Sequence, residues 1–432
     1  MKNYLLLILC VIFFARCYKE DTNVKYDPNP IKLNATHSFK GTKLTWTTLP
    51  QSAEFVSYRV YRSINNDTIN EKNLSANAFV AFSTTDNETS SFFDNSQGFG
   101  TIQGVVYYRV EVVFKNRSVW SKNVLLVDNA KIINEDFSNI YTDKETSKLY
   151  LYNDIEGVMK IYDLEQQKLL DANLKFAPFA FIGGLAFGTF NGSREMYITD
   201  STDLRIYDAN TFELIKTIDL QHNVSGIIIG KNNVLYISIV NSVYDVLVFD
   251  RNTETKTLHT NSGNTVNLVL MYLPNKNKLV ALNFKAMQPT LNYFELSADG
   301  KTITASSPNV SVGNKLASTN NFTLINYLSS NETFVIGNQV SIFDKDFKFI
   351  ASPPQEFNGI YNNFTVTKDD NIIEVRQFDS SIRQSNSKGI VTNKLIIKYF
   401  PKQIINIKDK SWIICNSNNN NLVNTIIEKF EF

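Results

Sequence analysis

Two acidic residues three positions apart, Asp200 and Asp203, share the segment Asp200-Ser201-Thr202-Asp203. Carboxylates this close serve as acid and base only where their surroundings push their pKa values apart. Nothing in the flanking sequence does so, and a solvated turn is the simpler reading. A second set, Asp379, Arg383 and Lys388, lies in the polar run 377–392, read as a long loop whose charges could grip a polar ligand. Other chemistry-bearing residues are scarce. The three histidines, His37, His222 and His259, are scattered, and each reads as a surface or satisfied polar group. With 3 His and 3 Cys, a histidine cluster or a Cys/His metal site would have to be built from almost nothing. No HExxH, GxSxG, EF-hand or phosphate-loop pattern occurs, and Gly183-Gly184 matches none of them. No metal and no cofactor are expected, and binding is favoured over catalysis.

The composition sets the body that must position these residues. Of 432 residues, 43% are hydrophobic and 12% aromatic, with 31 Phe and 20 Tyr. Such a chain buries a real core, and its aromatics favour strands. Lys and Arg number 43 against 42 acids, a net charge of +1. That balance argues against a nucleic-acid partner, which demands a basic face.

The first residues read as an address. Lys2 precedes the apolar run Tyr4 to Ala15. About twelve residues as a helix rise ~18 Å, well short of a ~30 Å hydrocarbon core. That length fits a secretory signal better than a membrane span. The run ends Phe13-Phe14-Ala15-Arg16-Cys17 and resembles a bacterial lipoprotein signal, which implies a mature chain starting at a lipidated Cys17. Arg16 stands where such signals usually carry a small residue. Lys19-Glu20-Asp21 resembles the export signal of Bacteroidota surface lipoproteins. Residues 1–16 are then signal peptide, 17–29 a linker, and the membrane is a partner through lipid alone. The expected location is the outer membrane, exposed at the cell surface. Cys415, in Trp412-Ile413-Ile414-Cys415, reads as a buried small hydrophobe.

Residues 30–128 carry several short strands parted by turns such as Asn65-Asn66-Asp67. Trp46, the alternating run Tyr58-Arg59-Val60-Tyr61-Arg62-Ser63 and Tyr107-Tyr108-Arg109-Val110 resemble a fibronectin type III domain. The resemblance implies a β-sandwich with Trp46, Tyr58 and Tyr108 in its core, a spacer or interaction platform without chemistry of its own.

From 129 to 432 one pattern recurs: a strand ending in an aromatic, then often an acid and a turn. The copies are Ile161-Tyr162-Asp163, Ile206-Tyr207-Asp208, Val248-Phe249-Asp250, Tyr293-Phe294-Glu295 and Ile342-Phe343-Asp344, whose aromatics are 45, 42, 45 and 49 residues apart. Weaker copies end at Phe400 and Glu431. A period of 40 to 50 residues suits a four-stranded propeller blade. The acid reads as a turn-former that bonds its own backbone. The pattern resembles WD40- and YVTN-type β-propellers, without their Gly-His and Trp-Asp dipeptides. Seven blades are expected, with six and a closing strand as the alternative. The last run, 424–432, is expected to pair near 129–133. The apolar run 175–190 reads as the inner strand of the second blade, and 306–320 as a long loop between the fourth and fifth.

The expected fold is all-β, a type III-like sandwich followed by a propeller. The expected function is that of a monomeric, surface-anchored binding module for a protein or glycan. The alternative is a propeller enzyme, a lyase or glycosidase acting on polysaccharide.

Overall fold

The computed structural model describes residues 31–430 except 39–40, 50–52, 64–67, 75–77, 95–105, 127–131, 134, 241–243, 261–267, 284–288, 313–324, 338–339, 355–361, 377–380, 397–399 and 420–421. The chain falls into two compact units, one around Thr42–Asp94 and Val106–Leu126, the other around Val127–Phe432. Among the described residues, no helix is long and apolar enough to cross a membrane.

The first unit has two antiparallel sheets. One joins Leu33–Ser38, Gly41–Trp46 and Ser91–Asp94. The other orders Ala78–Thr84, Phe55–Ser63, Val106–Phe114 and Ser118–Trp120, with Val124–Leu126 also on Val106–Phe114. Period-two alternation sends Tyr58 and Val60 into the core. Trp46 meets Tyr58 across the sheets with ring centroids 5.8 Å apart. At the centre Asp94, wholly buried, accepts from the Tyr108 hydroxyl at 2.6 Å and from Arg62 Nη1 at 3.0 Å. Burial, with the Asp94 charge beside it, pushes the Tyr108 phenol well up.

The second unit is a run of antiparallel meanders. Each of the first six sheets is formed by strands consecutive in the chain, beginning with Asn139–Asp143, Lys148–Asn153, Val158–Asp163 and Lys168–Lys175. The second holds Ile182–Phe190, Ser193–Asp200, Asp203–Asp208 and Leu214–Asp219. The third runs from Val224–Ile229 to Thr255–Thr260, the fourth from Leu268–Leu273 to Ile303–Ser306. The fifth runs from Ile325–Leu328 to Phe349–Ala351, the sixth from Asn362–Val366 to Val391–Ile396. The last sheet orders Phe400–Ile407, Lys410–Asn419 and Leu422–Phe430, then Ile132–Ile133 from the start of the unit. Thr425 sits opposite Ile133, and Ile426 opposite Ile132.

Alternation gives the middle strands of each sheet two buried faces, one for each neighbouring sheet, while outer strands such as Leu214–Asp219 and Thr255–Thr260 are exposed. In Lys410–Asn419, Trp412 and Ile414 pack with Leu149 and Leu151 of the first sheet, while Ile413 and Cys415 pack with Val375 and Ile382 of the sixth. Apolar clusters of this kind join each sheet to the next, and the last to the first. The sheets therefore form a closed ring, and the innermost strands of successive sheets touch. An all-β ring of radial meanders is a β-propeller.

The recurrent aromatics and acids have separate structural jobs. Tyr162, Tyr207, Phe249, Phe294 and Phe343 end the third strands of their sheets and pack on the preceding sheet. Burying such a side chain contributes about 1.5–3 kcal/mol. Four of the five acids close the following turn, Glu295 instead pairing with Lys278: Asp163 Oδ1 accepts from the amides of Glu165 and Gln166, both at 2.8 Å, and Asp208 Oδ1 from Asn210 and Thr211. Asp250 and Asp344 do the same.

The sixth sheet departs from the expected pattern. Its third strand is Ser381–Ser385, which carries no aromatic, and Phe400 opens the first strand of the last sheet instead. The run 377–392 is thus not one long loop. Within 306–320, Val310–Ser311 pairs with Thr290–Leu296, and 313–320 lie outside the described residues.

Candidate functional site

The meander topology gives the ring two rims. Turns between first and second and between third and fourth strands fall on one rim; the remaining turns and the connections between sheets fall on the other.

The first rim is a band of cross-ties. Arg194 of the second sheet grips Asp143 of the first through two bonds of 2.7 Å. Burial raises the Asp143 carboxyl, but the Arg194 bonds outweigh it and leave it below the usual range. Arg251 of the third sheet holds Glu195 of the second by two bonds of 3.0 Å, and the Tyr197 hydroxyl donates to the same carboxylate at 2.7 Å. Lys301 binds Asp250, Lys276 binds Glu332, Lys368 binds Asp409 and Lys408 binds Glu165, each to a neighbouring sheet. Between the fifth and sixth sheets the Ser330 amide donates to Asp370 at 3.0 Å. Such residues hold the ring together and are not arranged around a ligand.

The second rim has a different character where the first two sheets meet. The turn after Lys148–Asn153 exposes Ile155, and the connection 176–181 exposes Phe179 and Phe181; their accessibilities are 68%, 73% and 58%. The backbone beneath them is fastened at almost every residue. Phe176 N–H donates to Gly157 O at 2.8 Å, and Phe179 N–H to Asp154 O at 2.6 Å. The Tyr152 hydroxyl donates to Ala180 O and the Tyr141 hydroxyl to Ile182 O, both at 2.8 Å. Ser201 N–H donates to Phe181 O at 3.0 Å. Burial, with Asp200 and Asp154 adding to it against Arg205, pushes the Tyr152 phenol up to about 12, so it remains a donor.

Two backbone features show how closely this loop is specified. Gly157 has φ +65°, and a Cβ there would stand 2.6 Å from Phe176 O. Phe179 has φ +59°, the left-handed region that costs an L-residue about 1–2 kcal/mol. A large apolar side chain is thus held into solvent at a strained position. Phe179→Gly removes the strain, partly offset by the glycine's own entropy. The expected result is a gain of about 0.5 kcal/mol in urea unfolding; a loss of stability would contradict this account.

Asp200 and Asp203 lie beside this loop. They end and begin the strands Ser193–Asp200 and Asp203–Asp208 and face each other across a two-residue turn. Asp200 is 6% exposed, and its Oδ2 lies 2.5 Å from Arg205 Nη2. Arg205 also caps the face of Phe176 and donates to Lys175 O. Asp200 is therefore committed to an internal ion pair. Asp203 is half-buried.

The other predicted residues do not join them. Arg383 is in the middle of Ser381–Ser385 and 1% exposed, opposite Glu374 with Nε 3.2 Å from Oε1, and it donates to Pro354 O. It is an interior residue rather than a loop ligand, because alternation turns it away from Ile382, which packs on the last sheet, and toward the segment that follows the fifth. Lys388 is exposed, in the turn after that strand, on the cross-tied rim. Asp379, Cys17, Lys19, Glu20 and Asp21 lie outside the described residues. Only the second half of 175–190, Ile182–Phe190, is the inner strand expected there. Pro178, which lacks a donor for a ladder, was the signal that the first half leaves the sheet. No spacing rule finds a further pair, His259 Nδ1 on the buried Asp245 at 2.8 Å.

No family model and no curated protein matches the sequence. Among solved structures the chain is similar to Kuenenia stuttgartiensis hydrazine synthase, with 12% identity and a TM-score of 0.51 over 69% of this chain and 96% of that one. A β-propeller domain of Cps50 (Swd1) from Myceliophteria thermophila gives 10% identity and 0.49, over 67% and 96%. These are likenesses of fold alone, and the fold of residues 132–430 is a β-propeller. No activity passes from either protein to this chain.

Proposed function

We propose that the chain is a lipid-anchored protein of the bacterial outer membrane, exposed at the cell surface, that binds a protein or glycan and performs no catalysis. A signal at residues 1–16 and a lipidated Cys17 with Lys19-Glu20-Asp21 would place it there. Residues 30–128 are then a fibronectin type III-like spacer and 129–432 a seven-bladed propeller. The sequential sheets and the junction between last and first favour seven blades over six.

One observation carries the binding role. Ile155, Phe179 and Phe181 are held in solvent by a loop whose backbone is tied down, on a rigid scaffold. A preformed apolar face loses little freedom on binding. The acids nearest to it also disfavour chemistry, since Asp200 is already paired with Arg205.

The anchor is tested by Cys17→Ala and fractionation of the cells. The variant is expected in the soluble fraction, since lipid is the only proposed hold on the bilayer. Unchanged membrane retention would sink the anchor. The binding role is tested by an array of glycans and surface proteins probed with the full chain; no partner on it would defeat that reading.

A further inference from the structure

We propose that Ile155, Phe179 and Phe181 are the docking face for a partner protein, and that this partner presents apolar side chains flanked by Lys or Arg. The inference rests on the binding role above and names the class of partner.

The choice of a protein follows from the side chains. None of the three offers a hydroxyl, amide or charge, so a sugar bound there would gain few directional bonds. Phenylalanine is enriched at protein interfaces, where apolar contact is the main attraction. The loop is already in one conformation, through bonds from Phe176 and Phe179 to the turn 154–157 and from Ser201 to Phe181. The Phe179 side chain, 73% exposed, stands in solvent on a backbone in the left-handed region.

The choice of basic flanks follows from charge. Asp154 and Glu156 bracket Ile155, and Asp203 lies in the adjoining hairpin. Asp200 and Arg205 cancel one another at 2.5 Å. Among the described residues of the loop and its adjoining turns, Lys175 is the exposed cation, leaving the acids in excess. Complementary charge at the edge of an apolar patch speeds encounter and selects the partner. The same acids repel the anionic headgroups that attract a membrane-binding surface.

The experiment titrates the full chain with three synthetic peptides that share one Leu/Phe core and carry Lys, Ser or Glu flanks. Fluorescence anisotropy is read at low salt and again at 0.5 M. The Lys peptide is expected to bind about tenfold more tightly than the Glu peptide, and the gap should close at high salt. Asp154→Asn with Glu156→Gln should remove the gap while some binding persists. Phe179→Ser with Phe181→Ser should abolish binding of all three without lowering the melting temperature.

Equal affinity for the Lys and Glu peptides, absence of binding by any peptide, or full binding by the double-Ser variant each overturns the proposal. So does sedimentation with phospholipid vesicles that is lost in the double-Ser variant, which would assign the face to lipid. The array of glycans and surface proteins separates the two levels. A hit retained by the double-Ser variant leaves the binding role standing and removes this face from it.

Discussion

Glu195→Ala is expected to lower the stability of the propeller by about 3 kcal/mol. Glu195 and Arg251 have side-chain accessibilities of 4% and 8%, so neither recovers its hydration when the other is removed. Losing one partner of a buried pair costs about 3–5 kcal/mol, chiefly because the remaining charge is stranded. The lower part of that range applies here. Arg251 keeps Glu254 at 3.2 Å and lies 3.9 Å over the face of Phe190. The Tyr197 hydroxyl, which now donates to Glu195, loses its acceptor as well. Urea unfolding followed by circular dichroism measures the effect. The double variant Glu195→Met with Arg251→Met should recover most of the loss, since it strands no charge. A single variant within 1 kcal/mol of the parent would show that water enters this junction.

In the first unit Asp94→Ala is expected to cost about 4 kcal/mol. Asp94 is wholly buried and Arg62 is 3% exposed, with 3.0 Å between their charged atoms. The substitution leaves the guanidinium without this counter-charge and takes the acceptor from Tyr108. Domains of this size are stable by only about 5–15 kcal/mol, so the loss is a large share of the total. Hydrogen exchange in Phe55–Ser63 and Val106–Phe114 reads it locally, and protection there should fall by about a thousandfold. Tyr108→Phe provides the internal scale. It deletes one bond to a charged acceptor and strands no charge, so it should cost about 1.5–3 kcal/mol. Equal losses in the two variants would mean that the ion pair contributes little.

The parts of this fold that could be read from the sequence are those that repeat for a physical reason. Every third strand that ends in Tyr162, Tyr207, Phe249, Phe294 or Phe343 must fill the same gap against the preceding sheet. Every following Asp must satisfy the same turn amides. The sixth sheet escaped because it fills its gap differently. Glu374 and Arg383 are buried opposite one another, and polar residues in a row read as a solvated loop. The exposed apolar loop at 176–181 escaped for the converse reason. Phe179 and Phe181 belong to an apolar run, and apolar runs read as core, whereas here the chain turns them outward. The sequence puts Asp200 and Asp203 in one turn, but it could not show that Arg205 already neutralises Asp200.

The concentration of cross-ties on one rim has an evolutionary consequence. Lys408–Glu165, Lys368–Asp409, Lys276–Glu332 and Arg251–Glu195 lock neighbouring sheets at the end opposite Ile155 and Phe179. Mutation can therefore lengthen, shorten or rewrite free-rim turns without touching these ion pairs. Descendants of this chain can change what they recognise while inheriting the same frame, and divergence should accumulate on one side of the molecule.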